Sequence, residues 1–240
     1  MEWGRAKTIL ILAFLILNLL LGYQLWAQQL DIFGEVDETA SVVTETEQLL
    51  ASRGIQLDTS IPKETPRANE ITVRFLIQAD PMGRTMISPP IRGLDLFGRT
   101  DWQSTLSNYI DHVQEYIPDP IMSRPGVLVL DQVHEGIPLF EVNLSLYDGG
   151  GQIESYSQSY VEIESTITEK EQKILPAYRA VEFLAENYLQ RGSVITDVRL
   201  GYHGQSYNSD IQYMAPKWRV ALDNGSIYYI HAINGEVEIP

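Results

Sequence analysis

The sequence predicts an α+β chain: one N-terminal transmembrane helix, followed by an extracytoplasmic domain of antiparallel sheets with packed helices. Three observations carry this. An uninterrupted apolar run lies near the N-terminus. Beyond residue 70, stretches that alternate apolar and polar residues are divided by Gly, Asn and Asp turns. Two stretches with helical periodicity each precede such strands. Antiparallel strands with a helix on one face make an α+β domain.

Composition narrows the function classes first. The chain has 240 residues, 44% hydrophobic and 20% charged, a balance that supports a folded core. Net charge is −15. Residues 1–7 hold Arg5 and Lys7 against Glu2, a net of +1, so the remainder carries −16. Such a surface repels phosphate backbones and argues against nucleic acid as a partner. There is no cysteine, which excludes disulfides, thiolate metal sites and a cysteine nucleophile.

Residues 1–7 read as a cytoplasmic tail and residues 8–26 as the transmembrane helix. No Asp, Glu, Lys or Arg occurs from Thr8 to Leu30. At 1.5 Å per residue, about 20 residues cross a hydrocarbon core of about 30 Å. Tyr23 and Trp26 suit the far interface, and Arg5 and Lys7 precede the span. The positive-inside rule then keeps the N-terminus in the cytoplasm and gives a single-pass cell-membrane protein. A cleaved secretory signal is the rival reading, but Leu25-Trp26-Ala27 lacks the small residue such a site needs. Asn18 lies mid-span, with Gly22 one turn further on the same face. An amide there either bonds across to another helix or is tolerated against lipid or a local carbonyl.

Residues 27–70 read as a juxtamembrane connector. Thr39 or Ser41 starts a short helix running to Arg53, with Val42, Val43, Leu49 and Leu50 apolar and Gly54 at its C′ position. Residues 71–240 form the extracytoplasmic domain. Ile71 to Ala79 is a strand, closed by Asp80-Pro81-Met82-Gly83, and residues 84–100 are irregular. Trp102 to Ile117 is a helix with Leu106, Tyr109, Ile110, Val113 and Ile117 on its apolar stripe. Val127 to Val133 is a strand, and Leu139–Tyr147 with Gln152–Ile163 is a hairpin around Asp148-Gly149-Gly150-Gly151. A second helix starts at Pro176, followed by a strand at Val194–Tyr202 and a hairpin of Trp218–Leu222 and Ile227–Ile233 around Asp223-Asn224-Gly225. A short strand at Glu236–Ile239 ends the chain. The order helix–strand–strand–strand, met twice, admits a duplication with halves 71–165 and 166–240. The sheets' other faces either bind a partner or are simply wet.

Chemistry is sparse, and no catalytic residue, metal site or cofactor is expected. His112, His134, His203 and His231 form no H-E-x-x-H pattern. No G-x-S-x-G elbow, phosphate-binding glycine loop or EF-hand spacing occurs. Glu35, Asp37 and Glu38 cluster in the connector, where solvated charge explains them. Alternation in Trp218-Arg219-Val220-Ala221-Leu222 and Tyr228-Tyr229-Ile230-His231-Ala232 marks sheet core.

The head Met1-Glu2-Trp3-Gly4-Arg5-Ala6-Lys7-Thr8-Ile9, then Phe14-Leu15-Ile16-Leu17-Asn18 and Tyr23-Gln24-Leu25, resembles the YycI (WalI) proteins of the YycH/YycI regulators of Gram-positive bacteria. The tail Pro216-Lys217-Trp218-Arg219-Val220, Asn224-Gly225 and Tyr229 to Val237 is similar to PepSY-like modules. The first resemblance implies a non-enzymatic regulator. It would act with a YycH partner on the WalK (YycG) sensor histidine kinase that controls cell-wall metabolism, through transmembrane and outer contacts. It turns attention to the span as a contact site, with Asn18 and Gly22 foremost and Ala13 and Thr8 after them. The competing reading from the residues is an anchored extracytoplasmic hydrolase or a cell-wall-binding module. The tail also allows an inhibitor or chaperone of exported enzymes.

Overall fold

The computed structural model describes residues 7, 11–22, 39–80, 83–92, 102–166, 172–204 and 210–239. Residues 11–22 are helical and exposed. Among the described residues, no helix is long and apolar enough to cross a membrane. Thr8 and residues 23–26 of the expected span lie outside the described residues.

The domain has α1 (Thr39–Arg53), β1 (Gln56–Leu57), β2 (Arg67–Ala68), β3 (Ile71–Ile77), β4 (Thr85–Arg92) and α2 (Trp102–Leu106). A 3₁₀ turn at Val113–Glu115 leads into β5 (Tyr116–Pro118), β6 (Val127–His134), β7 (Ile137–Asp148), β8 (Gln152–Gln158) and β9 (Tyr160–Thr166). Then come β10 (Gln172–Lys173), α3 (Ala177–Asn187), β11 (Val194–Gly204), β12 (Ile211–Leu222), β13 (Ile227–His231) and β14 (Val237–Glu238). Among the described residues, twelve of these strands form one mixed sheet, and β2 pairs with β10 apart from it. The α+β class stands, but the two expected halves share a single sheet.

The pairing closes on itself. β7 meets β11 in parallel at Leu139 and Tyr202. β11 pairs antiparallel with β12, β12 with β3, and β3 with β9. β9 is separated from β8 by Ser159 alone, and β8 returns to β7. Inside this circuit sit Ile71, Val73, Leu139, Val142, Val161, Tyr202 and Met214. A second core lies between the sheet and the helices. Leu184, Val181 and Ala180 of α3, with Leu50 of α1, pack on Val198, Leu200, Trp218, Val220 and Ile230. Trp218 fixes the entry to α3 by donating its indole N–H to the Leu175 carbonyl at 2.7 Å. α1, read above as part of a connector, thus belongs to this core. Arg53 reaches from it to the carbonyls of Ala185 and Glu186 at the end of α3, which otherwise lack helical partners. Gly54 follows α1 at φ 70°, as its C′ role requires.

Three elements differ from expectation. The helix expected over Trp102 to Ile117 stops at Leu106. Ser107 and Asn108 turn their side chains onto the carbonyls of Ser104 and Thr105, competing with helical bonds. His112 then adopts φ 60°, so the chain leaves as a strand with Tyr116 buried and Ile117 exposed. Residues 85–92, expected to be irregular, form an edge strand on β8. Its register skips from Met86 to Ile91 because Pro89 and Pro90 have no N–H to give. Finally, the strand expected over Gln152–Ile163 breaks at Ser159, whose N–H bonds the Asn143 carbonyl. That break sends β9 away from β7 to meet β3.

β7 also carries a bulge. Gln132 faces Leu139 while Asp131 faces Asn143, so Phe140, Glu141 and Val142 are extra. The bulge lays the Phe140 ring over Gly201, where an added Cβ would lie 2.2 Å from the ring. Beside it, the Gln132 amide both donates to and accepts from the backbone of Val161, at 2.9 and 3.0 Å.

Gly201→Ala should therefore cost roughly 1–3 kcal/mol by overpacking, read as a lower urea midpoint of the full chain in detergent. Combining it with Phe140→Ala should shrink that increment. An unchanged midpoint for Gly201→Ala would remove this contact as a constraint.

Candidate functional site: the N-terminal helix face and a buried charge layer

Asn18, Gly22 and Ala13 all lie in the exposed helical residues 11–22. At 100° per residue, Gly22 is about 40° from Asn18 and Ala13 about 140° away. The structure thus puts Asn18 and Gly22 on one face and Ala13 on another. Thr8 lies outside the described residues. Asn18 shares its exposed face with Ile11, Phe14, Leu15 and Leu19. A Cβ at Gly22 would meet nothing within 4 Å, so a neighbouring backbone has room to approach.

The domain holds a second grouping that was not visible in the sequence. Along β12, alternate residues face opposite sides of the sheet. Trp218, Val220 and Leu222 pack under α3, and Lys217 and Arg219 point the other way. That other face is dry at its centre. Arg219 and Asp119 are both 0% exposed. The Arg219 guanidinium forms a two-point bond with Asp119, Nη2 to Oδ1 being 2.9 Å, and Nη2 reaches Asp197 at 3.4 Å. Its carbon lies 4.3 Å from the centroid of the Phe140 ring. Asp119 is held by its own turn, accepting from the backbone N–H of Ile121 and Met122. Asp131 of β6 lies next to it and accepts from the Asn143 amide at 2.7 Å.

Proton affinities follow this geometry. Burial alone would raise Asp119, but the bonds and charge of Arg219 outweigh it and hold the carboxyl below its ordinary value. Asp131 has the reverse balance. Burial, then the Asp119 carboxylate beside it, push it up to about 8 against the pull of Arg219 and Asn143. Near neutral pH the Asp119 carboxylate therefore faces the Arg219 guanidinium with Asp131 beside it as a neutral carboxyl.

A half-buried row continues from it. His203 stacks on Tyr229, with ring centroids 3.8 Å apart and planes 7° from parallel. Glu141, from the β7 bulge, lies against its Nδ1, and Glu238 Oε2 is 3.1 Å from Nε2. Lys217 pairs with the other oxygen of Glu238. Burial and the Lys217 ammonium push His203 down to about 4, with Glu238 opposing. His231 is lowered as well, by burial first, with Glu70 at 3.6 Å opposing. This layer binds element to element: Arg219 and Lys217 of β12 to the β5–β6 connection, β11 and β14. Among the described residues, no group of His, Asp and Glu could hold a metal ion.

The signs of these shifts give a pH profile. The folded chain keeps a proton on Asp131 up to about pH 8, whereas the ordinary value is 3.8. Its contribution is fullest at low pH and is lost as pH rises toward 8. His203 acts the other way: folded it stays neutral to about pH 4, but unfolded it takes a proton near 6.5. Its term favours unfolding as pH falls through that window. Urea unfolding at stepped pH should show stability falling from pH 6.5 to 8, a slope that Asp131→Asn removes. Between about pH 4 and 6.5 the Asp131 and His203 terms oppose each other, so His203→Gln should raise stability toward the acid side relative to the native chain. A flat profile from pH 6.5 to 8, or an acid window that His203→Gln leaves unchanged, would contradict the assignment. Arg219→Met should cost roughly 3–5 kcal/mol by stranding Asp119, and adding Asp119→Asn should recover part of it.

The search of curated proteins finds no match for this chain. Among solved structures, an uncharacterized protein from Eubacterium rectale ATCC 33656 is similar, with a TM-score of 0.34 at 12% identity. The alignment covers 71% of this chain and 63% of that one, so this chain spans less than two thirds of that protein's length. The family model described as YycI protein matches residues 86–233, from β4 to the end of the β13 hairpin. That match covers more than half of the 240 residues, and the chain belongs to the YycI family.

Proposed function

We propose that this chain is a non-enzymatic, membrane-anchored regulator that modulates the WalK (YycG) sensor histidine kinase together with a YycH-type partner. The observation that carries the proposal is the family match over residues 86–233. The uncharged run from Thr8 to Leu30 supports an anchor with its N-terminus in the cytoplasm, and the domain from α1 onward then stands outside as the regulatory part. Residues 27–38 join the two in sequence, since α1, β1 and β2 belong to the domain. The shared face of Asn18 and Gly22 supports contact between helices within the bilayer, where an amide gains by bonding to a neighbouring helix. Ala13, on the opposite side, would meet a different neighbour, and Thr8 would lie at the cytoplasmic end. A regulator of this kind shifts the kinase between its states only by binding one state more tightly than the other. The bonds of Arg219 to Asp119 and of Lys217 to Glu238 support a structural role for the buried charge layer.

Co-purification of the full chain with the kinase and the YycH-type partner from membranes tests the proposal. Replacing residues 8–26 with an unrelated transmembrane helix should abolish recovery of the kinase. Asn18→Leu should weaken it by roughly 3- to 30-fold, the range expected from about 0.6–2 kcal/mol for one hydrogen bond between membrane helices. Full retention after the helix swap would move recognition to the outer domain. Absence of the kinase even with the native chain would overturn the regulatory reading.

A further inference from the structure

On the outer side of β3 and β12, large apolar side chains stand in solvent. Leu76 is 52% exposed, Ile211 45% and Tyr213 43%. They share one face. Ile211 is directly opposite Arg74, and Tyr213 opposite Thr72, while Val73, Ile71 and Met214 at the intervening positions fill the core. Leu76 lies at a register irregularity between Phe75 and Ile77, and its exposure sets it on the outer side as well. The other exposed large apolar residues beyond residue 22 come from separate elements, including Met86 on β4 and Phe183 with Tyr188 at the end of α3. These three lie on adjacent strands around Arg74, and clustered exposed apolar side chains mark contact sites.

The rim is acidic. Glu162 is paired opposite Arg74 on β9, and Glu164 bonds the Arg74 guanidinium. Asp210 precedes Ile211 and accepts from Gln78. Glu70 bonds the Tyr213 hydroxyl. Four carboxylates against one guanidinium leave the rim at −3. A second copy would bring the same charges to the same place, and an anionic lipid surface would be repelled as well.

We infer that the face carrying Leu76, Ile211 and Tyr213 docks a partner protein whose contact surface is apolar at its centre and lysine- or arginine-rich around it. The inference rests on the proposed function and names the outer surface through which the YycH-type partner would be held. Complementary rim charge speeds encounter and sets register, and the apolar centre supplies the affinity.

The test uses the full chain co-purified with the YycH-type partner from membranes. Leu76→Lys with Ile211→Lys should cut recovery of the partner at least tenfold. Glu162→Lys with Glu164→Lys should weaken recovery and flatten its salt dependence. Phe183→Lys, on a different exposed face, should leave it at the native level. A benzophenone-bearing amino acid placed at position 76 or 211 should crosslink to the partner, a readout that survives any loss of affinity through misfolding. Native recovery by the Leu76→Lys, Ile211→Lys chain, with no crosslink from either position, would overturn this surface and leave the functional reading standing. No recovery by the native chain would overturn both.

Discussion

The domain is organised around a guanidinium that has no access to water. Burying Arg219 is costly unless charge and hydrogen bonds replace its hydration. Asp119 supplies both, in a two-point bond that a lysine could not reproduce. The cost explains much of the surrounding architecture. The β7 bulge exists where the sheet must send Phe140 over the guanidinium and Glu141 toward His203. Gly201 is glycine because that ring occupies the space of a side chain. Asp119 sits in a turn whose backbone N–H groups hold the carboxylate facing Arg219. Such a network specifies one arrangement of the elements even where it adds little net stability.

The same network explains why one sheet can serve two cores. β11 and β12 turn their apolar side to α3 and α1. Their other side would be a wet, charged surface in an ordinary two-layer domain. Here the β5–β6 connection and the β7 bulge roof it over. The strands then close through β3, β9 and β8 into a ring around Val73, Val142 and Met214. Regulation by contact suits such a body, because it presents rigid faces held by interlocked strands.

Much of the β-structure was legible in the sequence. Asn224-Gly225 marks the β12–β13 turn, the glycine run after Asp148 marks the β7–β8 turn, and alternation in Trp218 to Leu222 assigns the buried side to α3. The stripe of α3 was readable for the same reason: Val181, Leu184 and Ala185 recur at helical spacing. The helix expected after Trp102 failed because buried Leu106, Ile110 and Val113 fit helical spacing, while serine and asparagine between them break the backbone pattern. Pro89 and Pro90 concealed β4, since an edge strand tolerates what a central one cannot. The charge layer was hidden by the rule that charged residues in an alternating strand face water. A small signal was present: Asp119 lies between Pro118 and Pro120, a rigid place for a lone carboxylate. The helix face around Asn18 was readable, because spacing alone sets which residues share it.

The Gln132 amide, bonded at both ends to Val161, occupies the place a further strand would take beside β9. An open strand edge is a template on which unfolded or neighbouring chains can polymerise. Here a single side chain terminates the ladder from within the molecule, and Glu162 and Glu164 charge the stretch just past it. A protein concentrated at a surface meets its own copies often. This plug closes the β9 edge there, so at that place contact with a neighbour falls to side chains rather than to the backbone.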